Sequence, residues 1–217
     1  ERFTPLEARE RYLHVEVRTW KQLEAVSELP MLSGVYVSSD SMTALPEEEK
    51  RSVAEHMMRK IQQLRENGTG FYITLPSVCR QKTMKILEQH RNIFEKLSPD
   101  GFCVGNLETL SYVKQYFPKA EIIAGPGLYL FNTTTTAFYE QNNVRTHILS
   151  CELHRKEIAA LTEDISSTTH AFVLPVYGYL PVMESAGCLL KTMGKCRGGK
   201  GEETVVLTDR HKKQRVV

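Results

Sequence analysis

No apolar run in this chain approaches the length needed to cross a bilayer, and the opening ERFTPLEARERYLHVEV holds no apolar signal region. A membrane protein or a secreted one is not expected, and a cytoplasmic setting is. Cysteine is sparse: five thiols, an odd number, are scattered through 217 residues and do not make a secreted disulfide framework. Net charge is nearly absent, and a formal +2 is too small to indicate a nucleic-acid partner by itself. The usual catalytic signatures are missing too. There is no Ser–His–Asp arrangement, no HExxH and no GxSxG, so a standard hydrolase is not visible. No glycine-rich phosphate loop follows the first strand candidate, which argues against a nucleotide-binding sheet. An initial methionine is also lacking, and the chain reads as a piece excised from a larger protein.

What is present is ordinary for a globular domain: 41% hydrophobic and 25% charged residues, with enough length for one sizeable core. Short apolar runs alternate with amphipathic ones. Strands are expected at Leu13–Val17, Gly34–Ser38, Phe71–Leu75, Gly101–Gly105, Glu121–Gly125, Thr146–Ser150 and Ala171–Gly178. Each is rich in β-branched or aromatic residues and bounded by Gly, Pro, Ser or Asn. The clearest helix spans Glu47–Glu66, opened by Pro46 and closed by Asn67 and Gly68, with Val53, Met57, Ile61 and Leu64 on one stripe. Further helices are expected at Thr19–Leu29, Arg80–Lys96, Leu107–Phe117, Thr134–Gln141 and His154–Leu161. Strand and helix alternating at this spacing predict a parallel sheet, and seven strands predict a TIM-barrel-like α/β fold, complete or partial. An open doubly wound sheet is the alternative. Residues 1–183 form the barrel-like part in this reading, and 184–217 its cysteine-containing basic loop and tail.

Barrel chemistry sits where strands end. Those ends carry Ser39 and Asp40, Ser77, Asn106, the Gly125–Gly127 turn with Asn132 beyond it, Ser150 and Glu152, and Tyr177. Asn106, Asn132, Glu152 and Tyr177 follow successive strands and are expected to share one mouth. Glu152 is the candidate general base or cation holder. Competing structural roles stay open: Asn106 suits the N-cap of the helix starting at Leu107, and Glu152 suits the dipole of the helix after it. Among the cysteines, Cys79, Cys103 and Cys151 read as core or strand-end thiols. Cys188 and Cys196 lie in a polar Gly- and Lys-rich stretch, GCLLKTMGKCRGGKGEE, and read either as half of a metal site or as loop thiols.

Five pieces carry a family resemblance: Gly127–Thr133 (GLYLFNT), Ile148–Ile158 (ILSCELHRKEI), Val176–Met183 (VYGYLPVM), Cys188–Cys196 (CLLKTMGKC) and Leu207–Val217 (LTDRHKKQRVV). In this order they resemble the collagenase-like peptidases, the unclassified peptidase family thirty-two. Val104–Leu110 (VGNLETL) matches an earlier family element less specifically. Position 129 is tyrosine where relatives commonly have asparagine. The resemblance implies a barrel-like fold. It also implies kinship with tRNA or ribosomal-RNA hydroxylation factors and with proteins of oxygen-independent ubiquinone synthesis, which carry a four-iron cluster on four cysteines.

Cys188 and Cys196 fall on the first two of those ligands. The other two would follow the short strand after Asp209 and Arg210, so no intact cluster is expected in this chain alone. An RNA-modifying factor is therefore the leading expectation, with RNA and the remaining domains of a parent protein as partners. Lys195, Arg197, Lys200 and Arg210 in the basic tail would face phosphates. A peptidase, or a non-catalytic barrel that positions a partner domain, are the alternatives.

Overall fold

The computed structural model describes residues 12–43, 47–164, 170–179, 184, 187–195 and 206–216. Seven strands alternate with helices: β1 (His14–Val17), α1 (Trp20–Val26), β2 (Gly34–Ser38), α2 (Ser39–Thr43), α3 (Glu47–Glu66), β3 (Gly70–Thr74), α4 (Gln81–Leu97), β4 (Gly101–Val104), α5 (Leu107–Tyr116), β5 (Glu121–Ala124), α6 (Thr133–Gln141), β6 (Thr146–Ile148), α7 (Arg155–Asp164) and β7 (Ala171–Val173). A short 3-10 turn, Pro126–Leu128, lies between β5 and α6. Every neighbouring pair is parallel, and the strands lie in chain order from β1 to β7. Order without reversal is the winding of a barrel, and it rules out the doubly wound alternative. No pairing joins β7 to β1 among the described residues, so the barrel is partial.

Strand alternation sorts the side chains into two faces. Val35, Val37, Phe71, Ile73, Phe102, Val104, Ile122 and Ala124 point to the helices and join Leu23, Met57, Ile61, Leu64, Leu87, Phe94 and Val113 in the main core. Phe71, Phe94 and Phe102 are fully buried, each contributing about 2 kcal/mol by removal from water. The opposite, concave face carries a smaller cluster, Tyr36, Cys103 and Ile123 with Tyr72 and Ile148 against it. Tyr36 and Tyr72 stack at 4.9 Å, and His14 Nδ1 lies 3.2 Å from the Tyr36 hydroxyl. Burial lifts both phenols, Tyr72 to about 12.

Polar ties fix the helices on this sheet. Thr19 caps α1 in a reciprocal capping box with Gln22. Arg65, in the last turn of α3, donates to the carbonyls of Leu97 and Ser98 at the end of α4. The Tyr112 hydroxyl on α5 donates to Leu87 O on α4 at 3.0 Å. The Asp100 carboxylate accepts the Phe71 N–H at 2.7 Å, linking the start of β4 to β3.

The last strand is shorter than Ala171–Gly178, stopping at Val173, because Pro175 has no N–H to give a ladder. Residues Leu180–Val217 form a second compact unit. In it, α8 (Leu189–Thr192) precedes an antiparallel hairpin of β8 (Val206–Thr208) and β9 (Gln214–Val216). The Asp209 carboxylate pins that turn by accepting the N–H groups of His211 and Lys213.

Gly101 starts β4 with its backbone pressed on β5: an added Cβ would stand 2.5 Å from Glu121 O. Gly101→Ala is therefore expected to cost about 2–3 kcal/mol as an overpacking change. Urea unfolding with an unchanged m-value checks it, and a loss below about 0.5 kcal/mol would show that β4 moves freely there.

Candidate functional site

In a parallel sheet all C-terminal strand ends share one rim. Here the loops after β3, β4 and β5 meet backbone to backbone. A Cβ at Gly105 would stand 3.1 Å from Ser77 Cα, and one at Gly127 would stand 2.6 Å from Gly105 O. Asn106 locks the same junction. Its amide nitrogen donates to Pro76 O at 3.0 Å and Ser77 O at 2.9 Å, and its side-chain oxygen accepts the Thr109 N–H at 2.8 Å. It thus caps α5 and holds the β3 loop with one side chain.

Beyond β5 the chain alternates. Leu128 and Leu130 are buried, whereas Tyr129 and Phe131 face water, 60% and 39% exposed, with rings 5.9 Å apart and nearly parallel. Tyr129 has φ +49°, the left-handed region that a bulky side chain rarely adopts and asparagine tolerates. The Tyr139 hydroxyl holds the turn in place by donating to Leu128 O at 2.7 Å. Asn132 caps α6, accepting the Thr135 N–H at 2.9 Å.

After β6, Ser150 is buried and its hydroxyl accepts the Glu152 N–H at 3.2 Å. The Glu152 side chain is exposed. The helix entrance it precedes is served instead by Glu157, whose carboxylate accepts the His154 N–H at 2.7 Å. After β7, Val176, Tyr177 and Tyr179 are exposed almost completely. Asn106, Asn132, Glu152 and Tyr177 thus follow β4, β5, β6 and β7 on the same rim. No described hydrogen bond or ion pair joins any two of them. The two asparagines are occupied as caps, while Glu152 and Tyr177 face water.

The sequence marked Tyr129 only as a departure from the family pattern, and gave no site role to it, to the aromatics at 131 and 179, or to the cations on the same rim. Arg80 occupies the N-cap of α4 with no side-chain capping bond, and exposed Lys82 follows in the first turn. Arg155 and Lys156 open α7. Cations at helix N-termini oppose the helix dipole, an arrangement that stability alone does not favour. The alternation GLYLF and the basic residues just after strands were the available signals.

Two of the thiols run against nucleophilic use. Burial raises Cys79, which lies on the rim loop after β3, and pushes Cys103 up to about 12, away from the thiolate that attacks. Cys188 is exposed at the N-cap of α8, its sulfur accepting the Lys191 N–H at 3.4 Å. Cys196, with Arg197 and Lys200, lies outside the described residues. Among the described residues no three His, Cys, Asp or Glu side chains are placed to hold a metal ion. Of the four described thiols only Cys188 belongs to the expected pair, and the described residues do not by themselves form a four-thiolate site. Lys195 and Arg210 are exposed in the second unit, Arg210 Nε lying 3.2 Å from His211 Nε2.

The model of peptidase family U32 matches residues 19–203. The chain belongs to this family. Among solved structures, it is similar to the one described as the U32 peptidase Mk0906. Identity is 10%, 79% of this chain and 72% of that chain are covered, and the TM-score is 0.53. An uncharacterized B. cereus protein is similar at 10% identity over 76% of this chain and 47% of that one, with a TM-score of 0.47. Identities this low speak to fold alone. None of the curated proteins matches the chain.

Asn106→Ala removes the cap and the tie to the β3 loop together and is expected to destabilise by about 1–2 kcal/mol. Asn106→Asp keeps the capping oxygen but loses both donated bonds, so in denaturant titrations it should fall between the alanine variant and wild type. An aspartate variant as stable as wild type would show that the tie to Pro76 and Ser77 contributes nothing.

Proposed function

We propose that the rim at the C-terminal strand ends binds single-stranded RNA by base stacking, and that the chain is the barrel of an RNA-modification factor of the hydroxylation type. The observation that carries this is the exposed aromatic set on one rim, Tyr129, Phe131, Tyr177 and Tyr179, with Tyr129 held at a positive φ. Unstacked bases of single-stranded RNA lie on exposed aromatic faces, and every base has such a face. Arg80, Lys82, Arg155 and Lys156 supply charge for the phosphates beside them. Backbone strain kept at an exposed residue is a mark of a working site rather than of packing.

The family's peptidase name asks for other equipment. A hydrolase needs an activated nucleophile or a metal-bound water. The shifts of Cys79 and Cys103 run opposite to activation, and Asn106 and Asn132 are engaged as caps. Cys188 and Cys196 keep a place in the proposal as two thiolates that would be offered to an iron–sulfur cluster. Exposure of Cys188 supports that, and Lys195, Arg197, Lys200 and Arg210 would add to phosphate contact. A reduced, cytoplasmic setting belongs to the same proposal, and no helix among the described residues is long and apolar enough to cross a membrane.

Binding of a short single-stranded RNA, followed by fluorescence anisotropy, tests the reading. Tyr129→Ala and Tyr177→Ala should each weaken affinity about tenfold, the worth of one lost stack. Arg80→Ala with Lys82→Ala should flatten the salt dependence instead. Wild-type affinity in both tyrosine variants, or cleavage of a collagen peptide that survives iron chelation, would overturn it.

A further inference from the structure

Behind β6, on the helix-facing side of the sheet, two imidazoles are buried together. His147 is fully buried, and the His170 side chain, immediately ahead of β7, is 1% exposed. His147 Nε2 and His170 Nδ1 lie 3.1 Å apart, and the ring centroids 5.2 Å. One proton sits between the facing nitrogens, so one ring donates and the other accepts. The outer nitrogens, His147 Nδ1 and His170 Nε2, have no hydrogen-bond partner. Buried orphan atoms of this kind are rare and ask for a reason.

The surroundings offer a proton on His147 no counter-charge. Tyr139 from α6 and Phe172 from β7 each lie 5.9 Å from its ring, centre to centre. Glu140, also on α6, stands 3.8 Å from His170 Nε2, beyond hydrogen-bond length and beside the other ring. Arg145, two residues before His147, is exposed and positive. Among the described residues no third ligand joins the two imidazoles in a group that could hold a metal ion. Burial first, and the second imidazole after it, hold His147 down to about 4.

We propose that this pair is an acid-sensitive latch on the β6–β7 edge of the sheet, closed while His147 is neutral and released when it takes a proton. A charged ring with an unpartnered Nδ1 cannot stay desolvated, and water is reached by opening the edge. β6 and β7 are three residues each, and β7 has a partner on one side only among the described residues, so local opening there is cheaper than global unfolding. His147 in the closed state lies below its ordinary 6.5. Opening therefore takes up a proton in the window from about 6.5 down to about 4, and is favoured as pH falls through it. With those two values, the opening constant at about pH 5 is about 30 times that at about pH 8.

Amide exchange of the whole chain, followed residue by residue and corrected for intrinsic rates, tests the latch. The Leu149 and Ala171 N–H groups bridge this edge, bonding Val173 O and Arg145 O. Between about pH 8 and about pH 5 their protection should fall about 30-fold, while amides of β2 and β3 change less than about threefold. His147→Phe keeps a ring against Tyr139 and Phe172 but takes no proton, and its β6–β7 protection should be the same at both pH values. Equal loss on every strand, or the same loss in His147→Phe, overturns the proposal. If His147→Phe folds poorly, imidazole titration of the wild type by NMR decides: titration of His147 near 4 supports the latch, and near 6.5 overturns it.

Discussion

The rim depends on a contact that leaves no space for a side chain, the approach of Gly127 to the Gly105 carbonyl, where a Cβ would stand at 2.6 Å. That closeness draws the loop after β5 onto the loop after β4, while Gly105 approaches Ser77 less tightly, at 3.1 Å. Three consecutive strand ends are thereby held at fixed spacing. Asn106 then finds both its carbonyl acceptors on the β3 loop and its own helix N-terminus within reach. The turn after Gly127 has little freedom left. Leu128 and Leu130 are buried, Tyr129 takes the left-handed conformation, and its ring turns outward beside Phe131.

Two of the rim's polar side chains, Asn106 and Asn132, are committed to structure as helix caps. Exposed on it are the rings of Tyr129, Phe131, Tyr177 and Tyr179 and the carboxylate of Glu152, with the cations Arg80 and Lys82 at the start of α4 and Arg155 and Lys156 at the start of α7. Family membership and the strand order give the ancestry and the partial barrel. It does not by itself assign a reaction, because one fold carries many chemistries.

Much of the fold was legible in the residues. All seven strands lie where β-branched runs between Gly, Pro, Ser and Asn put them, and the helix expected at about Glu47–Glu66 is found there, ending at the Asn67–Gly68 turn. Asn106 and Asn132 could be read as caps because each directly precedes a helix. What stayed hidden was set by tertiary contact. His147 and His170 are 23 residues apart and meet only through parallel pairing of β6 with β7. The outward turn of Tyr129 needs the Gly127 contact, which no local pattern announces. The overlong last strand failed for a local reason, Pro175, that the apolar run masked. For Glu152 the order along the chain gave the rim but not the partners, and the helix after it uses Glu157 instead.

Ultraviolet crosslinking of a single-stranded RNA to the protein, with the adducts located by mass spectrometry, bears most directly on the central claim that this aromatic rim is the RNA-binding surface. Stacked aromatic rings are the groups placed to couple to a base. The account predicts adducts on the peptides holding Tyr129 and Phe131 and on those holding Tyr177 and Tyr179. Adducts confined to the segments carrying Lys195 and Arg210, with none on the rim, would contradict it.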